Sequence, residues 1–176
     1  MKLIMKIFAY ILLVIMMIIF FLPKINLYYK AEELLENYKV VLSAELPSDN
    51  GFRFKISDGT LYFDDLVVAK NSEITITPLL VYNSVNVKSF SFSEDMKQFT
   101  PLGVDGISLR HSILDPLHVK IQGSGDFGSL DGKISILDKN ISLILTPSPQ
   151  LIKQKPFWLR KMKKNSQGDY TYESTY

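Results

Sequence analysis

The sequence predicts a mostly β protein: a single N-terminal transmembrane helix, an antiparallel, meander-rich β-sheet domain, and a short basic C-terminal helix. Three observations carry this reading. Residues 7–22 form an apolar run with no charge, glycine or proline. From Lys39 onward the hydrophobic period changes to two, the period of a half-buried strand. After Pro147-Ser-Pro149, residues 151–164 are basic and aromatic without strict alternation.

The apolar run comes first. With Leu3 to Met5, and with Lys6 able to snorkel, residues 3–22 give roughly 20 helical positions, about the 30 Å of a hydrocarbon core. Such a helix satisfies its own backbone in lipid. Met1, Lys2 and Lys6 resemble the basic start of a secretory signal. Phe20, Phe21, Leu22, Pro23 and Lys24 are bulky, proline or charged where a signal peptidase needs small residues. Residues 1–24 are therefore expected to be an uncleaved signal anchor, N-terminus inside, with the rest of the chain outside the cytoplasm. Tyr28 and Tyr29 would sit at the outer interface.

Composition bounds the remainder. The chain has 176 residues, so one domain of about 150 residues is expected beyond the anchor. A net charge of +2 demands no nucleic-acid partner. The absence of cysteine excludes disulfides, cysteine nucleophiles and thiolate metal sites.

Along the chain, residues 25–38 read as a helical connector, with Asn26 placed to cap it and Leu27, Ala31, Leu34 and Tyr38 at helical spacing. Residues 39–176 are the β-rich domain. Val40, Leu42, Ala44 and Leu46 alternate, and residues 47–51 read as a turn. Residues 52–57, Asp58-Gly59 and residues 60–65 predict a type I′ hairpin. That register would set Ile56 beside Leu61, Phe54 beside Phe63, Arg53 opposite Asp64 and Lys55 opposite Tyr62, with Gly59 at φ > 0. Residues 73–77 alternate up to Pro78, which suggests a strand end. Residues 85–92 alternate with a phase change near Ser89, a candidate bulge. Residues 94–103 read as a loop or helical turn. Strands are expected at 107–112 and 117–122, split by Asp115-Pro116, and at 126–130, 133–137 and 141–146. A Lys139-Asn140 turn would set Ile136 against Leu143 and Ile134 against Leu145. Residues 168–172 predict a last short strand.

Catalytic candidates fail on context. Residues 123–128 match GxGxxG and contain Asp-Phe-Gly. A dinucleotide site needs a helix after the glycines, whereas here a β-alternating run follows, so turns and a bulge are expected. His111, Asp115 and His118 offer metal-ligand chemistry only if a hairpin brings the histidines together. Half-exposed strand residues and a turn aspartate are the expected outcome. Asp64 and Asp65 are neighbours in the expected strand and would point to opposite faces. No GxSxG elbow is present. No catalytic, cofactor-binding or metal residue is assigned, and no cofactor is expected. Segment 151–164 has three readings: a helix covering the end of the sheet, an amphipathic helix on anionic headgroups, or a docking element for a partner.

This order resembles the N component of the bacterial type II secretion system (GspN), itself similar to AsmA-like envelope proteins. The resemblance rests on the anchor, Phe-Lys-Ile-Ser-Asp-Gly-Thr-Leu-Tyr-Phe at 54–63, Glu-Ile-Thr-Ile-Thr-Pro-Leu-Leu at 73–80, and Gly-Asp-Phe-Gly-Ser-Leu-Asp-Gly-Lys-Ile-Ser-Ile at 125–136. It implies a non-catalytic, single-pass protein of the bacterial inner membrane facing the periplasm, tied to protein secretion or envelope assembly. The expected partners are the bilayer, through residues 3–22, and other secretion-system or envelope proteins, with no nucleic acid. The alternative is an AsmA- or LptC-like module whose sheet keeps an apolar groove for lipid. A periplasmic metalloenzyme using His111 and His118 is the third class.

Overall fold

The structure, a computed structural model, describes residues 2–43, 46–79, 81–97, 103–154 and 157–176. Helix α1, Lys2–Phe21, contains the apolar run. None of its residues is buried. It is long and apolar enough to cross a membrane. Helix α2, Lys24–Glu36, follows directly after Pro23. Asn26 lies inside it and does not cap it. Pro23 precedes the first turn with φ −75°, close to helical, and no side chain caps the start. Lys24 instead turns back onto α1. Its Nζ donates to the carbonyls of Ile19 (3.0 Å) and Leu22 (3.2 Å) and pairs with Asp49 at 3.3 Å. It thereby satisfies carbonyls that a helix C-terminus leaves open. This triple use explains why a lysine is buried here.

The strands are β1 Val40–Ser43, β2 Leu46–Asp49, β3 Phe54–Ser57, β4 Thr60–Phe63, β5 Leu66–Pro78, β6 Tyr82–Phe92, β7 Val104–Ser112, β8 Asp115–Gly125, β9 Gly128–Ser135, β10 Asn140–Pro147, β11 Lys163–Lys164 and β12 Tyr170–Thr175. Among the described residues they form one antiparallel sheet, ordered β1-β4-β5-β6-β7-β8-β9-β10-β12-β11, with β3 beside β5 and β2 beside β3. β5 to β10 are a six-strand meander, as alternation and short connections predict. Helix α3, Glu94–Lys97, is a single turn between β6 and β7. Residues 98–102 of that connection lie outside the described residues, as do Ala44 and Pro156.

The Asp58-Gly59 hairpin does not form. β3 and β4 both pair with β5, end to end: Phe54 faces Ile76, Ser57 faces Glu73, Thr60 faces Lys70 and Leu61 faces Ala69. They act as one interrupted strand running along a single 13-residue strand. Ile56 therefore lies opposite Ile74, not Leu61, and Lys55 meets Glu73 instead of Tyr62 (2.6 Å). The left-handed residue is Asp58 (φ 55°), not Gly59. Gly59 is needed for space: a Cβ there would stand 2.8 Å from the Asn71 Oδ1. The real type I′ turn is Asp64-Asp65, with φ 50° and 64°. Two aspartates serve because Asp tolerates the left-handed region better than most residues.

Other registers also differ. Ser89 has φ 48°, but one residue separates Asn71 from Glu73 and one separates Lys88 from Phe90. No extra residue is inserted, so this is not a bulge. The apolar phase slips by one on neighbouring strands at the same level: Ile56 to Leu61, Ala69 to Ile74, Val87 to Phe90. β2 and β3 pair, with the turn at residues 50–53, so Pro47 sits in an edge strand. Asp115-Pro116 opens β8, and the β7–β8 turn is Ile113-Leu114. Residues 128–135 are one strand, so Asp131-Gly132 is mid-strand. A four-residue turn at 136–139, with Lys139 at φ 49°, shifts the register: Ile134 faces Ile141, not Leu145.

Beyond β10, α4 (Pro149–Gln154) and a 3₁₀ turn (Phe157–Lys161) fold back on the sheet. Leu151, Leu159 and Leu145 are buried together, with Phe127, Leu130, Trp158, Met162 and Tyr170 packed around them. Covering the end of the sheet is thus what segment 151–164 does, and β12 then pairs with β10.

Strand direction sorts the turns into two ends. At one end lie residues 50–53, 79–81, 113–114 and 136–139. At the other lie Asp64-Asp65, the β6–β7 connection, Asp126-Phe127 and the start of α4. The C-terminal end of α1 meets the first of these. The Phe20 ring lies 5.3 Å from that of Phe52 and fills the space beside Gly51, where a Cβ would come within 2.2 Å of it. α2 then descends to the far end, where Lys39 pairs with Asp64 at 2.6 Å.

Candidate functional site

The site follows from alternation. Directly paired residues share a face, and neighbours along a strand point oppositely. Val85 faces Leu109, which faces Ile121, which faces Gly132, which faces Leu143, which faces Tyr172. One step along, Val119, Ile134 and Ile141 make a parallel row. An apolar face therefore runs from Ile74 and Ile76 on β5 to Tyr170 and Tyr172 on β12. Gly132 belongs to it for a steric reason: a Cβ would lie 2.4 Å from Leu143 Cδ2.

The opposite face is polar. Glu73 accepts from Lys55 (2.6 Å) and Lys88 (2.8 Å), and Thr75 Oγ1 donates to it at 3.2 Å. The two ammonium groups hold the Glu73 carboxyl down at about 2, against an ordinary 4.5. Gln122 Nε2 donates to Asp131 Oδ1 at 3.1 Å. This face is a solvated surface.

The apolar face is covered unevenly. Tyr28 of α2 packs on Phe54 (5.4 Å between ring centroids), and Phe54 and Ile56 are buried. At the other side the Leu151 cluster covers Leu145. Between these covers, Leu109, Val119, Ile121, Ile134 and Leu143 remain only half-buried. One open depression lies along this stretch, of about 260 Å³ and lined by Ile76, Val85, Leu109 and Val119. Another, of about 370 Å³, lies mostly among polar-face residues, Asn86, Lys88, Ser108, Gln122 and Ser124.

The sequence-derived catalytic candidates disperse. The β7–β8 hairpin forms, but His111 faces Val119, so His118 points to the other face. His111 Nε2 is 3.0 Å from the Pro116 carbonyl oxygen. His118 Nδ1 contacts Asp115 Oδ1, and this contact holds the Asp115 carboxyl below its usual range. Among the described residues no three His, Cys, Asp or Glu side chains group as metal ligands. Asp64 and Asp65 are turn residues. The GxGxxG glycines flank a hairpin: Gly125 pairs with Gly128 around Asp126-Phe127, and Gly128 has φ 112°.

The face was legible as strand alternation. The residues that reading missed are the apolar turns: Ile113 and Leu114, Ile136 and Leu137. Large apolar side chains at turn positions, where Gly, Asn, Asp, Ser and Pro are usual, were the available signal.

No protein-family model, curated protein or solved structure matches this chain.

Proposed function

We propose that this chain is a non-catalytic, membrane-held protein whose apolar sheet face takes lipid acyl chains. The observation that carries the reading is the half-buried row Leu109, Ile121 and Leu143, left uncovered between α2 and the C-terminal cap. A continuous apolar surface of this kind marks a binding surface in a soluble domain. The nearby spanning-length helix puts its natural ligand within reach and raises the effective concentration of membrane partners. α1 is proposed as the anchor, N-terminus in the cytoplasm and sheet in the periplasm, at a bacterial inner membrane. The test uses the full chain in lipid nanodiscs with a phospholipid bearing a photoreactive group on its acyl chain. Crosslinks at Leu109, Ile121 and Leu143, reduced by Ile121→Glu, are expected. Crosslinks confined to α1 would remove the proposal.

A second proposal keeps the secretion-system reading: a structural subunit of a type II secretion apparatus, bound to other envelope proteins. An anchored, antiparallel sheet is what that resemblance implied, and this supports it. Among the outer strands, β2 carries Pro47 and β11 is two lysines, which disfavours strand addition there, whereas β1, Val40–Ser43, carries no such block. Complementation of a deletion strain tests it. Loss of secreted proteins, restored by the full chain, is expected; unchanged secretion in the deletion strain would remove it.

A further inference from the structure

The apolar face does not account for the turns at the α1 end of the sheet. Ile113 and Leu114 form the entire β7–β8 turn, and Leu114 is 92% exposed. Ile136 and Leu137 open the β9–β10 turn, and Leu137 is 72% exposed. Val81 and Tyr82, at the β5–β6 turn, are exposed as well. These turns form one ledge. Ile113 N–H donates to Val81 O (3.1 Å), Ile136 N–H to Leu117 O (2.8 Å) and Tyr176 N–H to Lys139 O (3.0 Å).

We infer that this ledge rests in the interfacial layer of the same bilayer that α1 spans. The inference rests on α1 being a membrane anchor, and continuity with that anchor is its argument. Phe20, in the last turn of α1, packs on Phe52 and beside Gly51. The β2–β3 turn therefore sits at the depth where α1 leaves the hydrocarbon. The other turns of that end follow along the same edge.

The acids at this end have local partners. Asp49 pairs with Lys24, Asp115 contacts His118, and Asp138 accepts from Ser135 Oγ at 2.7 Å. Lys139 closes its turn, is exposed and is suited to a headgroup phosphate. At the far end the corresponding positions are Asp64, Asp65, Glu94, Asp95 and Asp126. The occupant is lipid rather than a partner protein. Exposed Ile and Leu on turns next to a spanning helix match the apolar residues with which monotopic elements enter the acyl boundary.

The chain has no cysteine, so single-cysteine variants are clean reporters. Ile11→Cys, Leu114→Cys, Leu137→Cys and Asp65→Cys in the full chain carry an environment-sensitive fluorophore. The proteins are reconstituted in phosphatidylcholine–phosphatidylglycerol vesicles with or without lipid spin-labelled near the headgroup. The inference expects blue-shifted emission and strong quenching at 114 and 137, and water-like, unquenched emission at 65. Position 11 reports the anchor independently. Lipid-like emission at 11 with water-like emission at 114 and 137 overturns the ledge and leaves the anchor standing. Water-like emission at 11 overturns both. A blue shift at 114 and 137 without quenching by the spin-labelled lipid assigns the ledge to a protein contact and also overturns the inference.

Discussion

The two ends of the sheet use apolar residues in opposite ways. At the far end Leu151, Leu159 and Leu145 are buried by the chain's own C-terminal segment, and Ser148 Oγ donates to the Asp126 carbonyl to fix that segment's entry. Gly103 N–H donates to Asp126 Oδ2 at 2.8 Å, tying two turns together. At the α1 end Ile113, Leu114, Ile136 and Leu137 are as apolar, yet nothing in the described chain covers them. Burial of one such side chain contributes about 1.5–3 kcal/mol. The Leu151 cluster realises that contribution in folding, whereas Phe63 and Leu66 beside the Asp64-Asp65 turn stay exposed. The α1 end leaves it for whatever lies against it.

The comparison breaks most readily at its packed end. Leu151 is fully buried, so Leu151→Ala should cost about 2–5 kcal/mol. Denaturant unfolding of the full chain in micelles measures this, and a cost near zero would mean that the C-terminal cap is not a core. Gly128→Ala comes next. Its φ of 112° and the 2.1 Å approach of a Cβ to Thr146 O require backbone movement, with an expected loss of about 1–3 kcal/mol. The same measurement on Leu114→Ala should show less than about 0.5 kcal/mol, since an exposed apolar tip adds nothing to folding. A large loss there would end the contrast between the two ends.

The smallest effect lies on the polar face. Glu73 is held at about 2 by Lys55 and Lys88. A carboxyl depressed on folding contributes stability that is present above its unfolded value and lost as pH falls toward the folded one. Stability should therefore fall between the ordinary 4.5 and about 2. Glu73→Gln should flatten that part of the pH–stability curve, as followed by circular dichroism. An unchanged slope would mean that Lys55 and Lys88 do not act on this carboxyl.

The missed hairpin shows where the sequence stops. Asp58-Gly59 carries the usual hairpin signal, and Asp64-Asp65 does not. Both stretches flank alternating strands, so local chemistry favours the wrong turn. The choice was made by β5, which offers one continuous partner for residues 54–57 and 60–63, in one register through Leu61 and shifted by one residue at Tyr62. The same holds at Lys139-Asn140, where a shift of four residues keeps every side chain on its own face and turn propensity alone cannot exclude it.

What the sequence determined by itself was the apolar helix, the strand-rich class, the strand end at Pro78 and the last strand. These depend on composition and on side-chain period, which are local. Tertiary structure alone decided which strands pair, that His111 and His118 part to opposite faces, and that Leu151 and Leu159 meet Leu145. It also decided that Ile113, Leu114, Ile136 and Leu137 share one edge with the end of α1. Those outcomes join residues tens of positions apart. They are fixed by which long-range pairings bury the most apolar surface without leaving backbone groups unpaired, a balance that no local window contains.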